Sequence, residues 1–206
     1  MAGLWFGTLK PNFSTFFHPF IKELKKLARL GFIWTKTSGE TVTSFVYVVL
    51  CTCDSVARCT LQNMKQFNGG YGCAWCLQNG TRVAKGNGSA VVYPFDESAQ
   101  RRTHSETLEH AQDAHVRDSC VFGIKGLSPL LDLPEFDIVD GFVVDSMHCV
   151  DLGVTKYIVS LWLDSVNHAQ AWYIGNKSDI INRKLRTIHP PSEITRLPRT
   201  LGLKKY

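Results

Sequence analysis

An uncharged stretch of eleven residues, Thr41–Cys51, is the feature that most constrains the fold. Its alternating positions are apolar on both sides, which is typical of a central strand covered on two faces rather than of an edge strand. Asp54 follows, and a helical pattern, Ser55–Phe67, begins directly after it. We therefore expect Asp54 at the carboxyl end of a buried strand, where ligand sites of α/β sheets gather, and at the N-cap of a helix.

The segments before this strand complete the order of an α/β fold. Leu4–Lys10 has the composition of a short strand that Pro11 ends, and Pro19–Leu30 places apolar residues at helical spacing on one face. Pro19 suits the first turn of this helix, and Gly31 suits the position after its last turn. Strand, helix, strand, Asp and helix in this order predict an α/β fold.

The second half of the chain is predicted to be mostly helical. Thr103 and Glu106 have the Thr-x-x-Glu spacing of a capping box at the start of a helix over Thr103–Val116. A mostly helical half after an α/β half indicates an insertion carried by an α/β core. The other predicted elements are helices over Val150–Val166 and Ser178–Ile188, the latter with Ser178 as N-cap, and an extended segment, Phe136–Val144, that runs up to Asp145.

Cysteine usage and hydropathy bound the cellular context. The chain has seven cysteines, an odd number, and its N-terminus lacks the basic and apolar regions of a signal peptide. These features favour a reducing, intracellular compartment, where cysteines serve as buried thiols or metal ligands. No apolar run reaches the roughly 18 residues that span a bilayer, so we expect no membrane-spanning segment.

Cys73-Ala-Trp-Cys76 has the spacing of half a zinc site, because a Cys-x-x-Cys turn directs two sulfurs at one tetrahedral ion. The alternative is an ordinary pair of thiols. Asp145-Ser-Met-His148 offers two ligand types at short spacing and is the preferred second half. Asp145 and His148 equally permit a catalytic interpretation in which the carboxylate binds magnesium, or a solvated loop. The other candidate ligands are His104, His110 and His115.

The C-terminal segment is strongly basic. Residues 183–206 contain seven basic residues and one acid, Glu193, so the net charge of this segment is +6. The net charge of the whole chain is +5, so the residues before the segment sum to about −1. Such a segment contacts nucleic-acid phosphates or is a solvated terminus. The candidate nucleic-acid-binding residues are Arg183, Lys184, Arg186, Arg196, Arg199, Lys204 and Lys205.

Seven short motifs follow one another along the chain: Gly3-Leu-Trp-Phe-Gly7, Cys53-Asp54-x-x-Ala57-Arg58, Asn68-Gly-x-Tyr71-Gly-Cys73-x-x-Cys76, Arg102-Thr103-His104, Gly126-x-Ser128-Pro129-Leu130, Asp145-x-Met147-His148-x-x-x-x-Gly153 and Arg196-x-Pro198-Arg199. Their order resembles the transposase family of CACTA-type cut-and-paste elements, including host proteins described as transposase domain-containing. The second motif departs from the family, because Val56 stands where a proline is usual.

The resemblance implies an RNase H-like fold in which three acids hold two magnesium ions for attack on a DNA phosphodiester. It makes Asp54 the second of these acids, with the first upstream of Met1 and the third, a Glu, downstream of Tyr206. An alternative assignment makes Asp54 and Asp145 the first two acids. The Asp145-x-x-His148 motif belongs to an insertion and, with Cys73 and Cys76, is expected to hold structural zinc.

The resulting expectation is a partial chain of a DDE transposase: an incomplete RNase H-like mixed sheet with a mostly helical, zinc-stapled insertion. Residues 1–68 are assigned to the partial core, 69–182 to the insertion and 183–206 to the basic segment. Such a chain is expected to lie in the nucleus, to bind DNA in its full-length form and to be inactive alone; self-association is left open. The alternatives are a complete active transposase, a domesticated non-catalytic DNA- or protein-binding module, and a generic zinc-binding interaction domain.

Overall fold

The structure, a computed structural model, describes residues 3–194 and 197–201. Over these residues the chain is mixed α/β, with small sheets and five α-helices. It divides into a first unit, Met1–Asp145, and a second unit, Ser146–Tyr206. The three segments assigned from the sequence follow family resemblance rather than compactness and remain a prediction.

The first unit contains three helices, six strands and one short 3₁₀ turn among its described residues. The strands pair two by two: β1 with β2 antiparallel, β4 with β5 antiparallel, and β3 with β6 parallel. In chain order the elements are α1 (Phe13–Leu30), β1 (Phe32–Thr35), β2 (Thr41–Ser44), β3 (Cys51–Cys53), α2 (Ser55–Leu61), β4 (Thr81–Lys85), β5 (Gly88–Val92), α3 (His104–Arg117), the 3₁₀ turn Pro129–Asp132 and β6 (Phe142–Val144).

Helix α1 begins earlier than the sequence pattern predicts. Asn12 is the N-cap, and its side chain accepts a hydrogen bond from the Thr15 amide at 3.1 Å, so Pro19 lies inside the helix rather than in its first turn. The helix ends as predicted at Gly31, whose φ of 67° suits glycine. A Cβ at Gly31 would lie 2.6 Å from the Ser44 carbonyl oxygen, so the close approach of β2 also requires glycine here.

The stretch predicted as one covered central strand is not one strand. It contributes β2 and leads to the first residue of β3, while residues 45–50 between them have no strand pairing. Their outward side chains are exposed: Phe45 by 53%, Val49 by 62% and Leu50 by 60%. The prediction of burial on both faces is wrong because no neighbouring strand in the described residues pairs with this segment. Leu4–Lys10 likewise forms no strand there.

Two capping predictions are confirmed. Asp54 is the N-cap of α2, and Thr103 is the N-cap of α3 with its hydroxyl oxygen accepting from the Glu106 amide at 3.3 Å. The extended segment before Asp145 is shorter than predicted. The Asp137 carboxylate accepts from the amides of Val139 and Asp140 at 2.7 and 2.8 Å, which folds the chain into a turn, so that only β6 is a strand.

Two apolar clusters hold the first unit together. The larger joins Ile21 of α1 to Leu130 and Leu133 near the 3₁₀ turn and to Ile138 and Phe142, with Cys51 and Cys53 of β3 packed against it. The smaller gathers Cys59, Met64, Ala74, Ala111 and Ile124. Trp75 packs against both clusters. The β3–β6 pair is therefore supported by α1.

The second unit is helical in its described part. The helix predicted over Val150–Val166 consists of a π-helical segment, Ser146–Thr155, followed by α4 (Lys156–Leu163). Helix α5 (Ser178–Arg186) follows, and Ser178 is its first residue rather than its N-cap, which is Lys177. Among the described residues, no helix is both long and apolar enough to cross a membrane.

Candidate functional site

Asp54 and Asp145 lie at the same end of the β3–β6 sheet, where both strands have their carboxyl ends; this end is called the sheet edge below. The parallel pairing of β3 and β6 aligns Cys51 with Phe142, Thr52 with Val143 and Cys53 with Val144. Each aspartate is the next residue after the last pair. Because paired strands lie about 4.8 Å apart, the two backbones enter this edge side by side, at the carboxyl ends of both strands.

Asp54 keeps part of its carboxylate available despite its capping role. Its Oδ1 accepts a hydrogen bond from the Ala57 amide at 2.7 Å, and in the described residues its Oδ2 accepts none. One carboxylate oxygen fixes the start of α2, so the side chain is oriented by the helix it caps. The other oxygen is free to bind a cation.

Arg58 lies one turn beyond Asp54 but does not neutralise it. The guanidinium stands 4.2 Å from the centre of the Trp75 ring in a cation–π contact. No ion pair joins Arg58 to Asp54 in the part of the chain that the structure describes. The negative charge of Asp54 therefore remains available at the sheet edge.

The Cys-x-x-Cys turn has hydrogen bonds directed at both sulfurs. The Trp75 amide donates to Sγ of Cys73 at 3.5 Å. Burial raises the pKa of Cys76, while a hydrogen bond from the Gln78 backbone acts in the opposite direction. The two thiols are close enough to hydrogen-bond each other. Amides that donate to sulfur favour the thiolate, the form of cysteine that binds a metal, but at Cys76 burial outweighs this effect and the raised pKa favours the neutral thiol.

The buried side chain of Arg102, which is 3% exposed, holds this turn through hydrogen bonds to backbone carbonyl groups. Its Nε donates to the carbonyl oxygens of Cys73 and Cys76 at 3.0 and 3.1 Å. Its Nη2 donates to those of Tyr71 and Phe122 at 2.9 and 2.8 Å. Burial lowers the pKa of Arg102, and the nearby Cys73 and Cys76 counteract that effect. One guanidinium thus holds four carbonyl groups in place.

The glycine-rich loop before the turn is also fixed. The Tyr93 hydroxyl donates to the Gly69 carbonyl and accepts from the Gly72 amide at 2.8 Å. A Cβ at Gly72 would lie 2.1 Å from the Gln66 carbonyl oxygen, so only glycine fits. The two cysteines are therefore presented by a preformed turn.

The structure does not gather the four predicted zinc ligands into one centre. No group of three or more His, Cys, Asp or Glu side chains in the described residues is arranged to hold a metal ion. Cys73 and Cys76 stand as a two-thiol half-site. Two other candidates have separate surroundings: His104 Nδ1 accepts from the Ile138 amide at 3.2 Å, and the His110 ring packs 4.8 Å from Phe122.

Four of the predicted nucleic-acid-binding residues lie in the described part of the second unit. Arg183, Lys184 and Arg186 are exposed at the end of α5. Asn182 ties the following chain back to this helix, because its Oδ1 accepts from the Leu201 amide at 2.7 Å and its Nδ2 donates to the Leu201 carbonyl at 3.4 Å. Arg199 is exposed and lies two residues before Leu201, which Asn182 binds. Arg196, Lys204 and Lys205 lie outside the described residues.

Sequence reasoning assigned no role to Arg102 or to Arg58. Both stand in quoted motifs, but their contacts depend on residues far along the chain, such as Phe122 for the first and Trp75 for the second. The only sequence signal for Arg102 is its place directly before the capping residue Thr103, which says nothing of burial.

None of the protein-family models, curated proteins or solved structures compared with this chain matches it.

Proposed function

We propose that the first unit is part of the metal-dependent catalytic core of a DDE transposase related to the CACTA-type family. The observation that carries this proposal is the position of Asp54 and Asp145 at the carboxyl ends of two strands paired in parallel. Carboxylates at one sheet edge are suitable ligands for magnesium, which prefers oxygen. The motif resemblance supplies the reaction, which is cleavage and transfer of DNA strands.

This arrangement favours Asp54 and Asp145 as the first two acids of the site. Acids that share a metal must come from neighbouring positions, and these two each directly follow one of two strands paired in parallel, which supports the assignment. The assignment of Asp54 as second acid, with its partner upstream of Met1, has no such geometric support. An RNase H-like sheet would then be built around β3 and β6.

The chain alone is proposed to be inactive. Two magnesium ions need several carboxylates to offset their charge, and a third acid at this edge is not present in the described residues. The uncovered segment between β2 and β3 supports the same view, because a two-stranded parallel sheet normally has further strands and covering helices. When bound, the metal ions would activate the attacking hydroxyl. The role of Asp54 and Asp145 would be to hold these ions.

A structural zinc ion at Cys73 and Cys76 is the second part of the proposal. The amide of Trp75 donating to sulfur and the carbonyl groups held by Arg102 support a preformed half-site. The favoured assignment gives Asp145 to magnesium, so zinc is proposed here at the Cys73 and Cys76 half-site. We expect about one zinc per chain in purified protein, lost in Cys73→Ser; folded protein without zinc would contradict this part.

The catalytic part is tested with a DNA nicking assay in magnesium. We expect no cleavage by the 206-residue chain. Cleavage that Asp54→Asn abolishes would show that the chain is itself an active nuclease and would overturn the proposed dependence on further acids. The companion variant Asp145→Asn distinguishes the assignments in a metal-binding measurement without DNA, since only the favoured assignment requires both residues to bind the metal.

A domesticated, non-catalytic module that binds DNA or protein is the alternative function. The exposed basic end of α5, with Arg199 held near it by Asn182 and Leu201, favours this alternative. Nuclear location and self-association belong to either version and remain proposals. DNA binding with no metal bound at Asp54 and Asp145 would favour the module over the transposase core.

A further inference from the structure

A stripe of basic side chains runs along the outer face of α1. His18, Lys22, Lys26 and Arg29 are spaced by four, four and three residues, so they stand one above another on successive turns. At 1.5 Å per residue the stripe is about 16 Å long. All four residues are exposed.

The stripe retains charge that the protein does not neutralise. Among the described residues, Lys22 and Arg29 form no ion pair. Lys26 approaches Glu23 only to 3.9 Å, with both side chains about 60% exposed, and such surface pairs contribute little. Lys25, beside the stripe, is different because it pairs with Asp132 at 3.3 Å.

An open groove of about 790 Å³ follows the same face. Basic side chains of α1 form one wall, and Tyr47 and Leu30 also line the groove. Asp132 and Glu135 lie along it as well, and Lys25 neutralises the first of them. Glu23 and Glu135 are the other acids that line the groove, and Glu135 would keep a bound anion on the α1 side.

The helix that carries the stripe is packed against the apolar core of the first unit. Ile21 and Ala28 are buried on the adjoining side of α1, at the base of the groove, and Leu24 packs against the same core as Ile21. That core includes Phe142 of β6 and contacts Cys51 and Cys53 of β3. The helix therefore belongs to the same packed body as the edge that carries Asp54.

We propose that this stripe is a nucleic-acid contact surface that binds the phosphates of duplex DNA without reading its sequence. The inference extends the proposed function by naming a DNA contact in the first unit, separate from the basic residues of α5. Charge complementarity identifies the occupant: repeated point charges one helical turn apart match a chain of phosphates.

The test measures duplex binding by fluorescence anisotropy over a range of salt concentrations, using the whole chain. Three lost phosphate contacts reduce the salt slope by about 2.7, since each contributes about 0.9. We expect the combined variant Lys22→Gln, Lys26→Gln and Arg29→Gln to show this reduction. Its loss of affinity between 50 and 200 mM salt should then be about 40-fold smaller than that of the unchanged chain.

Two matched variants control for charge alone. Lys25→Gln and Lys36→Gln each remove one positive charge that already pairs with a carboxylate, Asp132 or Glu40. We expect each to change the slope by less than half a unit, well under the 0.9 of one phosphate contact. A triple variant with an unchanged slope would overturn the proposal, as would a slope that the two controls lower equally.

A protein partner is distinguished in the same experiment. Tighter binding of the unchanged chain to a labelled polyglutamate peptide than to duplex DNA would overturn the nucleic-acid assignment. An unchanged salt slope in the triple variant would contradict the DNA-contact proposal alone. It would not bear on the proposed metal site, because binding of metal at Asp54 and Asp145 is measured without DNA. Circular dichroism of each variant shows whether α1 has remained folded.

Discussion

Asp54 and Asp145 each directly follow one of two strands that pair in parallel, one residue beyond the pair of Cys53 with Val144. They are 91 positions apart in sequence, yet the register places them at the same edge. The Asp54 carboxylate is held through one oxygen by the Ala57 amide at 2.7 Å. This juxtaposition is the physical basis for proposing a shared cation site.

The capping and metal-binding roles of Asp54 can be separated by two substitutions. Asn caps a helix about as well as Asp, so Asp54→Asn should change the free energy of unfolding by less than about 0.5 kcal/mol. Asp54→Ala leaves the Ala57 amide without its partner and should cost about 1 kcal/mol. Urea unfolding of both variants checks this. Equal losses in the two variants would contradict a stabilising hydrogen bond from the Ala57 amide to the side chain at position 54.

Arg102 is expected to be among the most sensitive positions in the first unit. Arg102→Lys cannot reach four carbonyl groups at once, so buried acceptors lose their donors; the expected cost is about 3 kcal/mol or more. The neighbouring Arg101 is the control. Its ion pair with Asp140 is exposed, so Arg101→Lys should cost under about 1 kcal/mol. Similar unfolding midpoints for both variants would contradict a stabilising role for the four hydrogen bonds of Arg102.

The unpaired segment between β2 and β3 should promote self-association. Val49 is 62% exposed, so Val49→Lys should leave stability within about 0.5 kcal/mol of the original while reducing aggregation. Val48 points the other way and packs against the core, so Val48→Lys should destabilise the fold clearly. Light scattering and urea unfolding measure the two effects. Unchanged aggregation in Val49→Lys would show that the unpaired segment between β2 and β3 is not the surface through which the chain self-associates.

Alkaline pH should destabilise the fold through Cys59. Burial raises the pKa of this thiol above its ordinary value of 9.0. A raised pKa means that the folded state prefers the neutral thiol. The stability it contributes is therefore fully present below pH 9.0 and is lost as pH rises through the folded-state value. Cys59→Ala should flatten the fall of unfolding free energy above pH 9.0, whatever its cost at neutral pH; an unchanged alkaline slope would contradict the assignment to Cys59.

Local signals predicted some helix ends and missed others, such as the start of α1 after Asn12 and the N-cap of α5 at Lys177. The Asp54 and Thr103 caps and the Gly31 terminus depend on a few adjacent residues, so their patterns were sufficient. Strand burial was predicted poorly. An apolar run indicates that a strand prefers cover, but whether Val49 is covered depends on what other strands pair with it.

The candidate site was only partly predictable for the same reason. Asp54 and Asp145 were each identified from the residues around them, but their adjacency depends on the β3–β6 register. The position of Arg102 beneath Cys73 and Cys76 depends on contacts up to 31 residues away, which no spacing rule supplies.

Binding of Mn²⁺, a spectroscopic substitute for Mg²⁺, by the whole chain is the most direct test of the shared site. Electron paramagnetic resonance of free Mn²⁺ would be compared for the unchanged protein, Asp54→Asn and Asp145→Asn, each first shown to be folded. The account predicts saturable binding that both substitutions weaken at least tenfold, because each removes one of two charged ligands. Binding that survives either substitution unchanged, or no binding by the unchanged chain, would contradict a cation site formed by Asp54 and Asp145.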